Sequence, residues 1–289
     1  MSDSEEDNVL ERIEAAAQEA VSSLIPQKSR VAYETTYSRF EEWRSKQKVN
    51  CINEKVMMAY FLEKSKIVKL LTLWSVYSML RTMISINKNL DLSKYTNLIA
   101  FLKRPSEGYR AKKSKSFSKE NIEKFLTTAN DEDYLMQKVV LIIGITGACR
   151  SQELLNLKVN NVEDLGEFMK IMLPITKTKV PREFTVTKGN FKDLNLVDMV
   201  RKYATLRPSH TPHARFLINY KKGRCTVQPV GINTFGGLPS KIANFLELPS
   251  AKEYTGHCFR RTSASLLANA GADMSIIKRH GSLEILKCS

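Results

Sequence analysis

Aromatic and aliphatic residues recur at helical spacing through the first third of the chain. Between residues 28 and 47, Tyr33, Tyr37, Phe40 and Trp43 fall four, three and three apart, the repeat of a single helix face. Val56, Met57, Tyr60 and Phe61 mark a second helix, Leu70, Trp74, Tyr77 and Leu80 a third near 67–86, and Tyr95, Leu98, Ile99 and Leu102 a fourth. Four amphipathic helices with short connections predict a small bundle over 26–104. An aromatic stripe of this kind is read as core rather than as a base-stacking surface. Lys64, Lys66, Lys69, Arg81 and Lys88 are interleaved with it and are the better candidates for phosphate contact. An ordinary solvated face accounts for any one of them equally well.

The helical pattern breaks at Pro105, inside K-R-P-S-E-G-Y-R-A-K-K-S-K. Its basic residues are Lys103, Arg104, Arg110, Lys112, Lys113 and Lys115. Residues 105–117 are therefore expected to be a basic linker between two domains, able to run along a polyanion or to serve as a nuclear-import signal. After Ser118 helical spacing returns at Ile122, Phe125 and Leu126, and an apolar run over 135–145 predicts a buried helix. Two strand-like runs follow at 168–175 and 182–187. In the second, Arg182, Phe184 and Val186 alternate with polar positions. A helix at 192–204, a short strand at F-L-I-N-Y from Phe216 and a helix at 231–246 complete the pattern. The expected fold class is mainly α: an N-terminal four-helix bundle, then an α-rich domain over 118–289 with a small β-sheet.

Charge sharpens this picture. The chain has 45 Lys and Arg against 30 Asp and Glu, a formal +15. Seven of the acids stand in the first 25 residues, an acidic arm with one Arg; the remainder carries 44 basic residues against 23 acidic, or +21. A body this basic favours a polyanion as partner, most simply nucleic acid. The five cysteines are scattered without C-x-x-C or zinc spacing, so neither disulfide nor metal use is expected. The N-terminus lacks an apolar signal core and the run from Val139 is too short to span a bilayer, so no membrane role and an intracellular, reducing compartment are expected.

Candidate chemistry lies in four short segments. G-A-C-R-S-Q-E-L-L-N-L holds Arg150 and, one helical turn on, Glu153. I-T-K-T-K-V-P-R-E-F-T-V holds Lys177 and Lys179 between the predicted strands. Y-T-G-H-C-F-R-R holds His257 and Arg260 at i and i+3, on one face of a helix start that Gly271 ends. I-I-K-R-H-G holds His280. A phosphodiester under attack spreads charge onto its non-bridging oxygens, and guanidinium forks suit those oxygens because they donate bidentately and stay charged. Arg150 and Arg260 are the pair expected to do this, with Glu153 orienting a guanidinium. His257 and His280 add hydrogen bonds and share protons near neutral pH. An ammonium on the hairpin, Lys177 with Lys179 second, can protonate a leaving oxygen. No cofactor is expected, because this chemistry needs none.

An Arg followed by x-x-E-L-x-x-L, a hairpin Lys, H-x-x-R and a further His before Gly, in that order, resembles the tyrosine recombinases (phage-integrase-like proteins). T-G-H-C-F-R-R-T-S and K-R-H-G look most like the branch found in Crypton-type transposons. The motifs cover about 118–282; residues 26–104 match by pattern only. The resemblance implies DNA recombination and integration by strand exchange, self-association on DNA, and a core-binding bundle ahead of the catalytic domain. It also implies a Tyr nucleophile soon after the final His, forming a 3′-phosphotyrosine link.

The sequence departs from the family there. No Tyr follows Tyr254, which precedes His257 and is read as packing, and after His280 the chain runs G-S-L-E-I-L-K-C-S. Residues 283–289 and a following TGA stop can be encoded so that a one-base shift reads W-R-S-S-S-V-A and the start of a Glu codon, a continuation like the W-R-S-S-S-V-A-E of the transposon-like relatives. The expectation is therefore a slipped or mis-spliced tail and no cleavage by the chain as written. Cys288 is a poor substitute for the nucleophile, being unpositioned near a chain end. The competing readings are a domesticated non-catalytic DNA-binding or regulatory protein and a transposon remnant.

Overall fold

The computed structural model describes residues 9, 12–13, 16–17, 19–21, 23–25, 27–104, 112–174, 180–189 and 194–281. The fold is mainly helical with small antiparallel sheets. The chain divides into two compact units, Met1–Ala111 and Lys112–Ser289.

The first unit packs four helices, α1 (Arg30–Lys46), α2 (Glu54–Ser65), α3 (Leu70–Lys88) and α4 (Thr96–Lys103). Its core is the aromatic stripe. Phe40 of α1 meets Tyr60 of α2 edge to face at 5.0 Å between centroids, Trp43 meets Tyr60 at 5.1 Å, and Phe61 meets Tyr77 of α3 at 6.1 Å. Offset and edge-on contacts of this sort add to the area they remove from water. The helix starts are capped. Asn53 accepts from the Val56 amide at 3.0 Å, and Glu54 accepts from the amides of Asn97 and Leu98, so α2 caps α4. Lys66, Lys69, Arg81 and Lys88 are exposed, whereas the Lys64 ammonium lies 5.4 Å over the Tyr60 ring.

The second unit is built around α6 (Asp131–Thr146), whose residues are buried almost continuously from Leu135 to Gly144. Its start is capped by Asn130 and carries three acids, which suit the positive end of the helix. Lys138, inside the apolar run, is 4% exposed and reaches back to Asp131 at 2.8 Å. Around α6 lie α5 (Lys119–Thr128), α7 (Ser151–Asn156), α8 (Leu196–Thr205), α9 (Ile232–Phe245), α10 (Cys258–Asn269) and α11 (Met274–Gly281). Strands β1 (Val162–Asp164), β2 (Phe168–Leu173) and β3 (Arg182–Thr187) form an antiparallel sheet in that order. Strands β4 (Ile218–Lys221) and β5 (Arg224–Pro229) form a separate hairpin. The single small sheet of the sequence reading is thus two, because β1 has only three residues and β5 lacks an alternating pattern. Lys222 and Gly223 join β4 to β5 with φ of 46° and 76°, the positive pair a two-residue hairpin turn requires.

The stretch read as a linker also needs correcting at its end. Ser114 and Phe117 are buried in the second unit. The Ser114 hydroxyl accepts from the Thr255 amide, the Phe117 amide donates to the Thr262 hydroxyl, and the Phe117 ring stacks on Tyr254 at 4.8 Å. Tyr254 is accordingly a packing residue, 7% exposed.

Gly147 sets the turn that delivers the G-A-C-R segment from α6 to α7. A Cβ there would overlap the Phe184 ring of β3 and stand 2.8 Å from the Cys149 sulfur. Gly147→Ala is expected to lower stability by about 1–3 kcal/mol through overpacking, read as a lower thermal midpoint of the second unit.

Candidate functional site

Local sequence explains how Arg150 is held. It is the N-cap of α7, and the Glu153 side chain returns to it twice: the Arg150 amide donates to Glu153 Oε2 at 2.9 Å, and Arg150 Nη1 donates to Oε1 at 2.7 Å. This is the Glu half of a capping box, with a guanidinium contact in place of the usual hydroxyl closure. Glu153 is 5% exposed, so its charge has to be matched. The second match is Arg182, the first residue of β3, whose Nη2 donates to Oε2 at 3.1 Å. One carboxylate therefore bridges two guanidiniums.

Arg260 lies in the first turn of α10, 7% exposed, with Nη1 3.5 Å from the Ala148 carbonyl. Burial lowers its pKa to about 10, helped by the nearby Arg150 and Arg182 cations and opposed by Glu153. It remains charged at neutral pH. Cys149 stands among the same groups; complete burial pushes its thiol up to about 12, which keeps it a packing atom rather than a nucleophile. The turn before α10 rests on the start of α7: Ser151 Oγ donates to the Gly256 carbonyl at 3.3 Å, and a Cβ on Gly256 would stand 2.6 Å from that hydroxyl. This contact brings the two motifs, 105 residues apart, to one place. His257, the N-cap of α10, is exposed there.

His280, on α11, joins from the far end of the chain. Its Nε2 is 3.2 Å from Ser263 Oγ on α10, and its carbonyl accepts from Arg182 Nη1 at 2.8 Å. Burial first and the Arg182 cation second hold its pKa below the ordinary histidine value, against a hydrogen bond to the Thr146 backbone that raises it. The imidazole is thus neutral at pH 7, fit to donate or accept one hydrogen bond.

The structure therefore brings together Arg150, Glu153, Arg260 and His280, with His257 at the edge. Lys177 and Lys179 lie outside the described residues, as does Arg110. Of the other basic residues named from the 103–115 stretch, Lys103 and Arg104 end the first unit's helical part, Lys112 and Lys113 are exposed, and Lys115 and Lys112 lie 3.4 and 3.9 Å from Glu253. Sequence reasoning missed Arg182 as a member of the cluster. Its signal was its parity with Phe184 and Val186, which turns it toward the core side of the sheet. Among the described residues, no group of His, Cys, Asp or Glu is placed to hold a metal ion, and no helix is long and apolar enough to cross a membrane.

Two expectations follow from this electrostatic arrangement. Glu153→Ala leaves two guanidiniums without their carboxylate and is expected to cost about 3–5 kcal/mol, measured by denaturant unfolding. His280 takes up a proton less readily folded than unfolded, so between its lowered folded pKa and about 6.5 the unfolded state binds more protons and stability rises with pH. The contribution is full above pH about 6.5 and is lost as the pH falls through the folded pKa. His280→Gln is expected to flatten that acid-side slope in unfolding curves taken from pH 7.5 to 5.

Comparison with known proteins gives this geometry a family. A search of curated protein sequences returned no match. Solved structures with a similar fold include the Tn1549 transposon integrase in complex with transposon right end DNA, at 15% identity over 90% of this chain and 87% of that one, TM-score 0.61. They also include the XerH site-specific recombinase in a post-cleavage complex with palindromic difH, at 14% identity over 85% and 69%, TM-score 0.55. A lambda integrase dimer bound to a COC′ core site aligns at 12% identity over 93% of both chains, TM-score 0.52. At these identities the likeness is one of fold. The model of the phage integrase family matches residues 115–282, which include every segment of the cluster. The chain belongs to the phage integrase family, the tyrosine recombinases.

Proposed function

We propose that these 289 residues bind double-stranded DNA and grip one backbone phosphodiester with Arg150 and Arg260. His257 and His280 hydrogen-bond at its edges, and a hairpin lysine, Lys177 or Lys179, reaches the bridging oxygen. The observation that carries this reading is the pairing of a carboxylate-braced Arg150 with a buried Arg260 at the adjoining starts of α7 and α10. The partly exposed Arg150 guanidinium repels the buried Arg260 guanidinium beside it, a repulsion that a bound anion would relieve. The formal charge of +15 supplies the long-range attraction for such a polyanion. That several proteins of similar fold are held on DNA in their structures supports the same partner.

The reading extends to descent and place. The wording of the 255–263 and 278–281 segments supports the Crypton-type, transposon-derived branch. The basic 103–115 stretch supports nuclear import. In the family's order the attacking Tyr follows the final His, and no Tyr follows Tyr254 among these residues. Residues 1–289 by themselves offer no Tyr in that place to attack phosphorus, so DNA binding is the activity proposed for this polypeptide, with recombination the activity of its relatives and self-association on DNA a further property to be tested.

The test is duplex binding across a salt series. Arg150→Ala with Arg260→Ala is expected to weaken binding and to flatten the dependence of log affinity on log salt by about 0.9 per lost phosphate contact. Unchanged affinity and slope would remove the proposed phosphate grip. A nicked duplex incubated with the unaltered 289 residues is expected to give no covalent adduct; an adduct on a denaturing gel contradicts that expectation.

A further inference from the structure

Arg182 does two jobs with one side chain. Its Nη2 holds Glu153 Oε2 at 3.1 Å, and its Nη1 holds the His280 carbonyl at 2.8 Å. The side chain is 12% exposed, and its Nε is buried with no hydrogen-bond partner. Stability alone does not call for such a residue, since a buried, partly satisfied ion group is commonly matched or bettered by an apolar side chain. What the guanidinium supplies instead is geometry. Its fork spans two acceptors on different elements, which a single ammonium point does not. The acceptor on α11 is the backbone carbonyl of His280 itself, so the contact holds that residue's main chain as well as the element that carries its ring. The Glu153 carboxylate in turn fixes both the amide and the guanidinium of Arg150.

We propose that Arg182 is a positioning residue for the phosphate grip: from the first position of β3 it sets the guanidinium of Arg150 through Glu153 and the seat of His280 through that residue's own carbonyl. The proposal rests on the phosphate-binding reading above and adds a residue to it. Arg182 acts through these groups and does not itself touch DNA, since its forks are already used and it is largely buried.

Two measurements separate this role from a direct phosphate contact and from plain packing. The first is a double-mutant cycle on duplex affinity. Arg182→Gln alone is expected to lower affinity about ten- to hundredfold. In an Arg150→Ala background it is expected to add less than about twofold, since the group it positions is gone. Equal losses in both backgrounds would make Arg182 an independent phosphate ligand and overturn the proposal. Arg182→Lys keeps the charge but not the fork and is expected to behave like Arg182→Gln; wild-type affinity in that variant also overturns it. This milder variant serves where the Gln variant unfolds.

The second readout is the His280 ring titration by NMR on the DNA-free protein. The groups facing that ring are Arg182 from β3, the Ser263 hydroxyl from α10 and the Thr146 backbone at the end of α6, with Glu153 beyond Arg182. Loss of the cation in Arg182→Gln is expected to raise the His280 midpoint toward the ordinary histidine value. Arg182→Lys, charged but not forked, is expected to fall between wild type and Gln. An unmoved midpoint in the Gln variant overturns the proposal. If Arg150→Ala leaves duplex affinity intact, the phosphate-binding reading fails, and the His280 titration still decides whether Arg182 seats that residue.

Discussion

Everything in the second unit's functional corner depends on one carboxylate lying between two guanidiniums. Glu153 is almost fully removed from water, and Arg150 and Arg182 both pair with it there. In return it removes the freedom of a long side chain at the start of α7. Arg150 does not search for its geometry; its amide and its guanidinium are pinned to the same carboxylate. Rigid placement of this kind is what an anion site needs, because donors that are already oriented lose little on binding.

The remaining architecture serves to bring distant pieces to that carboxylate. The buried α6 ends at Gly147, where only a residue without a Cβ passes Phe184. The turn before α10 leans on Ser151, and the His280 carbonyl of α11 accepts from Arg182. Each of these is a short-range contact of ordinary strength. Together they place segments from near residues 150, 182, 260 and 280 around a site with net positive charge. Desolvation first, and that local charge second, explain why Arg260 and His280 both hold protons less firmly than usual: each is buried, and each faces arginine.

Much of this was legible in the sequence, for physical reasons. The bundle announced itself because aromatic residues at spacings of three and four have one packing solution, and Phe40, Tyr60 and Tyr77 are indeed its core. Arg150 and Glu153 could be singled out because their pairing is local, within one helical turn, and Arg260 because its H-x-x-R segment completes an ordered set of motifs that resembles the family. Arg182 escaped because its partners, Glu153 and His280, are 29 and 98 residues away, and a strand's alternation says only that one face is inward. Strands β1 and β5 escaped because V-E-D and R-C-T-V-Q-P carry too few apolar positions to set a period. The tail end of the supposed linker escaped because its bonds to Thr255 and Thr262 are made across more than 140 residues.

The most direct test of the central claim is to locate a bound phosphate mimic. Crystals of the protein grown or soaked with tungstate would reveal the anion by its anomalous scattering. The account predicts one site in which a single tungstate is hydrogen-bonded by the guanidiniums of both Arg150 and Arg260, with Glu153 still bridging Arg150 to Arg182. Tungstate bound to Arg150 and Arg260 at separate sites, or found only elsewhere on the basic surface, would contradict it.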